Sequence, residues 1–268
     1  MLTIFVISLK QATERRDAIR KQFDLFGYEC TVVDGIDGAE GIAHFKEHNR
    51  LAYLFNAGRK ATTGEIGCYA SHKSVWKLCA ESNLPVVVLE DDAQLHDGFA
   101  EAMELVSQEI YKYGFIRLEP NNRGAVEVFR SNSAGRKQFS IGYCRRYPFC
   151  ATAYAISPTV ARAFIKRSAK LTAPVDVFIK NFWSHRQPLY ALSPACAYPG
   201  PLRNESYIEQ GRTSEVKSSW FKPVRLIFKL WQSLRRDAFN TVLLAFHRKE
   251  FTFGRSDHLA PAYEVKDE

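Results

Sequence analysis

The sequence predicts an α/β fold in which a buried sheet is flanked by helices, and two stretches carry that expectation. Residues 2–9 form an apolar strand pattern, residues 11–26 a helical one, and residues 28–33 a second strand pattern. Strand, helix and strand in such close succession make a βαβ opening, right-handed by default. Further on, residues 84–97 (LPVVVLEDDAQLHD) set Val86, Val87, Val88 and Leu89 in a row. A continuous apolar run of that length reads as a strand buried on both faces, as in a parallel sheet.

Three acids close the second stretch: Glu90, Asp91 and Asp92. They fall at the C-terminal end of the strand, where open α/β sheets bind their ligands. In extended geometry Glu90 and Asp92 share one face and Asp91 takes the other. Two carboxylates on one face make a site for a hard divalent cation that also carries a diphosphate. Three adjacent acids repel one another, and a metal is the simplest compensation. The competing reading is a charged turn after a core strand.

The remaining elements follow in order. In the first helix Ile19, Gln22, Phe23 and Phe26 share a face, Thr13 serves as N-cap and Gly27 ends the run. The turn Asp34-Gly35-Ile36-Asp37-Gly38 closes the second strand. No GxGxxG follows the first strand, so a nicotinamide or flavin site is not expected. Ser8, Arg15 and Asp34 read either as a nucleotide pocket at the strand ends or as ordinary loop chemistry. Residues 39–63 look irregular. Residues 62–76 (TTGEIGCYASHKSVW) interleave small and large side chains at helical spacing, and the helix runs to about Ser82. Gly64, Gly67, Ala70 and Ser71 permit close approach by backbone or ligand. His72 is either a catalytic residue or a packed core histidine.

Residues 99–113 give a helix and 115–119 a short strand. Residues 121–142 are polar, a long loop or exposed hairpin suited to an acceptor-side lid. Residues 147–156 are apolar and aromatic, and Pro158 opens a helix that runs to about Lys170. Asp176 stands among apolar neighbours as an N-cap, a salt-bridge partner or a carboxylate held for proton transfer. Residues 189–198 are a last strand-like piece and 199–219 a loop. From Trp220 the composition changes, dividing the chain into a domain over 1–219, a basic amphipathic helical segment over 220–250 and a tail over 251–268. In that segment Ile227, Leu230, Trp231 and Leu234 share a face, Val242, Leu243 and Phe246 continue it, and Arg225, Lys229, Arg235 and Arg236 lie elsewhere. It is either a membrane-surface helix or a helix docked on the core.

Composition narrows the classes. Hydrophobic residues at 46% and charged residues at 25% exclude a disordered chain. The net charge of +8 implies an anionic partner without choosing between nucleic acid, nucleotide-sugar and anionic lipid. Six scattered cysteines without a CxxC pair suggest reduced thiols and no structural zinc. The N-terminus reads as a strand rather than a secretory signal, and no apolar run approaches the roughly 20 residues of a membrane span. A cytoplasmic protein is expected, peripheral at the cytoplasmic face of the inner membrane where the basic segment meets an anionic surface.

Several pieces together resemble glycosyltransferase family 25, which includes bacterial lipooligosaccharide galactosyl- and glucosyltransferases and animal collagen galactosyltransferases. They are Ile7-Ser8-Leu9-Lys10 with Glu14-Arg15-Arg16, Asp34 to Gly38, Gly64-Glu65-Ile66-Gly67-Cys68 with Ser71-His72 and Trp76, Leu89-Glu90-Asp91-Asp92, Thr152 to Ser157, and Pro174-Val175-Asp176. The resemblance covers about residues 4–200 and implies a GT-A-type, Rossmann-like mixed sheet flanked by helices. It also implies a UDP-sugar donor, Mn2+ (or Mg2+), inversion to a β-linkage, and an oligosaccharide or lipid-linked acceptor; no nucleic acid is expected. Carried over, it makes Asp92 the metal contact with His185 as a further ligand. Ser8, Leu9, Arg15, Asp34, Ile36, Gly64, Ser71, His72, Glu90 and Asp91 become donor-binding residues. Asp176 becomes the catalytic base, with Glu119 second. Two rivals stand beside this reading: a metal-dependent phosphotransferase or nuclease, and a non-catalytic sugar- or lipid-binding module descended from a transferase.

Overall fold

The computed structural model describes residues 2–120, 126–132 (backbone only), 139–200 and 221–246. In chain order these form β1 (Thr3–Ser8), α1 (Thr13–Phe26), β2 (Thr31–Asp34), α2 (Gly38–Gly41), β3 (Glu47–His48), α3 (Arg50–Ala57) and α4 (Thr63–Ser82). β4 (Val86–Glu90), β5 (Ala93–Leu95), α5 (Phe99–Tyr113), β6 (Phe115–Arg117), β7 (Val126–Asn132), β8 (Phe139–Cys144), β9 (Ala153–Ile156) and α6 (Pro158–Arg167) follow. The series closes with β10 (Lys170–Leu171), α7 (Val175–Lys180), α8 (Phe182–His185), β11 (Tyr190–Ser193), β12 (Ala197–Pro199) and α9 (Phe221–Phe246).

Among the described residues the main sheet runs β2-β1-β4-β9-β6-β11-β8-β7. β2, β1 and β4 are parallel, β9 runs antiparallel to both β4 and β6, and β11 is parallel to β6. This is the mixed, Rossmann-like arrangement of a GT-A-type fold. The apolar run in β4 is buried on both faces as its composition demands. Val86 and Val88 pack beneath α4, α6 and α7, with Trp76, Phe164 and Phe178. Val87 and Leu89 pack beneath α1 and α5, with Phe23, Phe99 and Ile110. Each such side chain contributes about 1.5–3 kcal/mol of burial, which makes β4 the rigid spine behind the acids.

The βαβ opening, α4 and α5 form where the periodicity puts them. Gly27 ends α1 in the left-handed conformation, but Ala12 rather than Thr13 holds the N-cap position, without a side-chain bond. Residues 39–63 are less irregular than they read: α3 is capped by the Asn49 side chain, and β3 pairs with β10. α4 opens on a capping box in which Thr62 Oγ1 accepts from the Glu65 N–H while a Glu65 carboxylate oxygen accepts from the Thr62 N–H. β7 and β8 pair antiparallel at the end of the main sheet, so where 121–142 reads as a long loop or exposed hairpin, β8 is instead buried through Phe139, Ile141 and Tyr143; residues 121–125 and 133–138 lie outside the described part. The 201–219 part of the expected loop and the tail over 251–268 also lie outside it.

α9 lies along the α/β body. Phe221 and Phe228 stack on Phe55 at 5.6 and 5.5 Å, Phe239 packs on Phe182, and Gln232 accepts from the Trp183 indole N–H at 2.8 Å. Buried Asn240 accepts from the Tyr143 hydroxyl at 2.6 Å and donates to the Arg145 carbonyl. One face of the helix is thus docked on the core.

Candidate functional site

Because β2, β1 and β4 are parallel, their C-terminal ends share one edge: Ser8 is level with Asp34, and Ile7 with Glu90. The strand stops at Glu90 and the chain turns through Asp91 and Asp92. The extended alternation expected across all three acids therefore covers only the first two.

Asp91 faces the α1 side. Its carboxylate accepts from Ser8 Oγ at 2.6 Å and pairs with Arg15 at 3.3 Å. The neighbouring Arg16 guanidinium donates to the carbonyls of Ser8 and Leu9 at 2.7 and 3.1 Å and to Asp34 at 2.7 Å. That hydrogen bond holds the Asp34 carboxyl below its ordinary value. Ser8, Leu9, Arg15, Asp34 and Asp91 thus meet in one rim of bonds, with Leu9 entering through its backbone. The following turn sits on the start of α4: the Ile36 N–H donates to Ser71 Oγ at 2.8 Å, and Ser71 Oγ donates to the Gly67 carbonyl. A Cβ at Gly67 would stand 2.5 Å from the Ile36 carbonyl oxygen, so glycine is required for this approach. Gly64 lies half-buried in the first turn of the same helix.

Glu90 faces α4. The Trp76 indole N–H donates to the Tyr154 hydroxyl at 2.8 Å, which leaves that hydroxyl able to donate its own proton to His72 Nδ1 at 2.9 Å. An ionised Glu90 can only accept, so the bond at 3.2 Å to its Oε1 requires a proton on His72 Nε2. Cys68 Sγ at 3.7 Å and Thr152 Oγ1 at 3.4 Å complete the shell. Burial raises the Glu90 carboxyl, but the bonds from His72, Cys68 and Thr152 outweigh it and hold the group below its ordinary value. His72 is fully buried and stacked on Tyr154, so its role in the described structure is to hold Glu90 rather than to touch a donor.

Three other expected residues separate sharply. Asp176 is half-buried in the first turn of α7, one oxygen accepting from the Val177 N–H at 2.7 Å. Burial lifts its carboxyl above the ordinary aspartate value, and the negative Glu65 and Glu90 push the same way. Glu119 corrects the expectation of a second base. It is 1% exposed, one oxygen accepting from the Ala153 N–H at 3.1 Å and the other from Arg117 at 3.2 Å. His185 corrects the expectation of a metal ligand. It is buried against Phe164 and Phe178, Nε2 bonds the Ile179 carbonyl at 2.9 Å, and Nδ1 accepts from the Gln187 N–H. Burial presses its pKa down to about 4.

Cys68, His72 and Glu90 bring one ligand atom each within 4.8 Å of one another, a grouping that could hold a metal ion. By donor type the trio is a sulfur-nitrogen-oxygen set of the kind that suits a borderline-soft ion, but burial and Glu90 push the Cys68 thiol far up and so hold it in the protonated form, which binds metal poorly. A hard ion such as Mn2+ or Mg2+ suits oxygen donors instead. Glu90 and the half-buried Asp92 in the turn offer carboxylates of that kind, to be completed by diphosphate oxygens. The donor chemistry at the strand edge therefore fits a divalent cation.

This edge gathers carboxylates, arginines and tight glycine turns from segments far apart in sequence, and the comparisons agree with it. Residues 1–179 match the family model described as glycosyltransferase family 25 (LPS biosynthesis protein). The chain belongs to glycosyltransferase family 25. It is 31% identical over 246 residues to a rat (Rattus norvegicus) protein named as a probable inactive family 25 member 3, covering 81% of this chain and 41% of that protein. It is 29% identical over 157 residues to a Drosophila melanogaster family 25 member, covering 52% and 25%. To mouse (Mus musculus) procollagen galactosyltransferase 2 it is 32% identical over 118 residues, covering 41% and 18%. The chain thus spans less than half the length of these curated relatives.

Within this family member, sequence reading passed over Thr152 and Cys68 as partners of Glu90, Tyr154 behind His72, Arg16 as the tie between β1 and β2, and the Tyr53–Glu65–Arg59 group. In that group the Tyr53 hydroxyl and Arg59 Nη1 both donate to the same Glu65 carboxylate oxygen, at 3.0 and 2.6 Å. Two signals were available: Cys68 and His72 stand four apart on one helix, and Thr62-x-x-Glu65 is a capping-box pattern.

Proposed function

We propose that the chain transfers a hexose, galactose or glucose, from a UDP-sugar to a lipooligosaccharide or lipopolysaccharide acceptor, with inversion to a β-linkage. One observation carries the reading: Glu90, at the end of β4 beside α4, lies close enough to Asp176 for its negative charge to raise that carboxyl. Family membership supports transfer, the model's description as an LPS biosynthesis protein supports the acceptor, and the name of the mouse relative supports galactose.

Asp92, with Glu90 beside it, would hold Mn2+ or Mg2+, which supplies charge neutralisation for the departing diphosphate. The chain's own residues do the rest. Arg15 and Arg16 lock Asp91 and Asp34 and so fix the rim that receives the nucleotide. His72 and Thr152 keep Glu90 ionised. Asp176 takes the proton of the acceptor hydroxyl as its oxygen attacks the anomeric carbon. A second reading, a non-catalytic sugar-binding module, is favoured by relatives named inactive. Manganese-stimulated UDP release across a panel of UDP-sugars, with acceptor present, tests the proposal. Asp92→Asn should abolish release while the protein stays folded. Turnover within about tenfold of wild type, a barrier change of only ~1.4 kcal/mol, overturns the role of Asp92. UDP binding without turnover of any donor favours the non-catalytic module.

A further inference from the structure

We propose that the outward face of α9 docks on an anionic lipid surface. Eight of the fifteen exposed large apolar side chains among the described residues lie on this one helix: Val224, Leu226, Ile227, Leu230, Trp231, Leu234, Val242 and Phe246. Five of these, Leu226 to Leu234, recur at helical spacing and form a stripe on the side turned away from Phe221, Phe228, Gln232 and Phe239, which face the core. Leu234 is 70% exposed and Ile227 66%, in a helix whose other face is held by buried bonds.

The flanking charges say what covers the stripe. Exposed Lys222 and Lys229 border it beside Leu226 and Leu230, and the Arg235 guanidinium lies 4.6 Å over the Trp231 ring at the opposite border. The one acid within α9, Asp237, pairs with Arg236 at 2.9 Å. A second copy paired through a two-fold axis would set these cations against their own equivalents, with no acid of α9 left to answer them. Anionic headgroups provide the missing negative charge, and a tryptophan beside the stripe suits the headgroup level. No helix among the described residues is long and apolar enough to cross a membrane, so the contact is in the plane of the surface. The inference stands independently of whether the chain turns over a UDP-sugar.

The test is sedimentation of the full chain with phosphatidylcholine vesicles with and without phosphatidylglycerol, together with light scattering. Binding is expected only with phosphatidylglycerol, weakening as salt screens the charges. An Ile227→Glu, Leu230→Glu, Leu234→Glu variant should lose binding by at least about tenfold while keeping its melting curve, because these side chains are exposed. A Lys222→Glu, Lys229→Glu variant should also lose binding, and it decides the matter should the triple variant fail to fold. Wild-type protein that stays in the supernatant, or variants that bind unchanged, overturn the proposal. So does a wild-type dimer that the triple variant dissolves, which assigns the stripe to a second copy.

Discussion

Glu119 and Asp176 are both acids among apolar neighbours, and burial raises both carboxyls, yet the fold bonds them differently. Glu119 follows β6 into the core, and both of its oxygens are occupied, one by a backbone N–H and one by a guanidinium. Arg117 is anchored in turn by the Cys150 carbonyl at 3.1 Å and by the Tyr147 ring beneath it. Asp176 sits instead near Glu65 and Glu90, whose negative charges raise its carboxyl further above the level set by burial. The same functional group is a structural tie in one place and the proposed proton acceptor in the other. Burial raises both carboxyls and the negative Glu90 pushes both the same way; what separates them is the Arg117 guanidinium that opposes the rise at Glu119 and the number of bonds already made.

Within this contrast the largest effect should come from Asp176→Asn, which removes the proposed base: turnover should fall by roughly 10²–10⁴, with UDP and metal binding retained. In the wild type, activity should be lost as pH falls through a value above the ordinary aspartate 3.8, because the base must be ionised. Stability runs the other way. A raised folded-state pKa means Asp176 favours the fold below its unfolded value, and that contribution is lost as pH rises through the folded value. The Asn variant should therefore melt higher than wild type at neutral pH, with the gap closing in acid. Loss of UDP binding, or rescue by excess metal, would make Asp176 a ligand rather than a base.

What could be read from residue order alone has a physical boundary. β4, α4 and α5 were legible because an apolar run or a 3.6-residue period long enough to stand out survives any tertiary context. α3, eight residues, and α7, six, were not, because segments so short carry little period and form through packing. The mixed sheet was not visible in the strand patterns, since whether β9 meets β4 parallel or antiparallel depends on the path between them. At the site, the acids and their place at a strand end were legible. The burial of His185, the lock on Glu119 and the Tyr154–His72–Glu90 chain were not, because each depends on side chains that only the folded molecule brings together.

The contrast also predicts a stability effect at the other acid. Glu119→Gln keeps the shape but leaves the Arg117 guanidinium buried without its counter-charge. Breaking a buried pair in this way costs about 3–5 kcal/mol, a large share of the ~5–15 kcal/mol that holds an ordinary domain together. Urea unfolding should show that loss, while turnover per folded molecule stays near wild type. A variant with normal stability and a collapsed turnover would reverse the assignment and make Glu119 the catalytic acid of the pair.

The smallest expected effect tests the wall behind Glu90. Tyr154→Phe removes the hydroxyl that accepts from Trp76 and faces His72 Nδ1, in a chain that continues from His72 Nε2 to Glu90. The Trp76 indole N–H is then left buried without its acceptor, at a cost of about 1–3 kcal/mol. His72 Nδ1 also loses the proton donor that selects the Nε2–H tautomer. The imidazole can then carry its proton on either nitrogen, and in the Nδ1–H form it presents a lone pair to the Glu90 carboxylate, which repels it. Nitrogen NMR of the His72 ring should therefore show one tautomer in the wild type and a mixture in the variant. Turnover should fall less than in Asp176→Asn, because Glu90 keeps Cys68 and Thr152 as partners. A single unchanged tautomer in the variant would mean that the Glu90 carboxylate alone orients His72 and that Tyr154 serves only to fill the core.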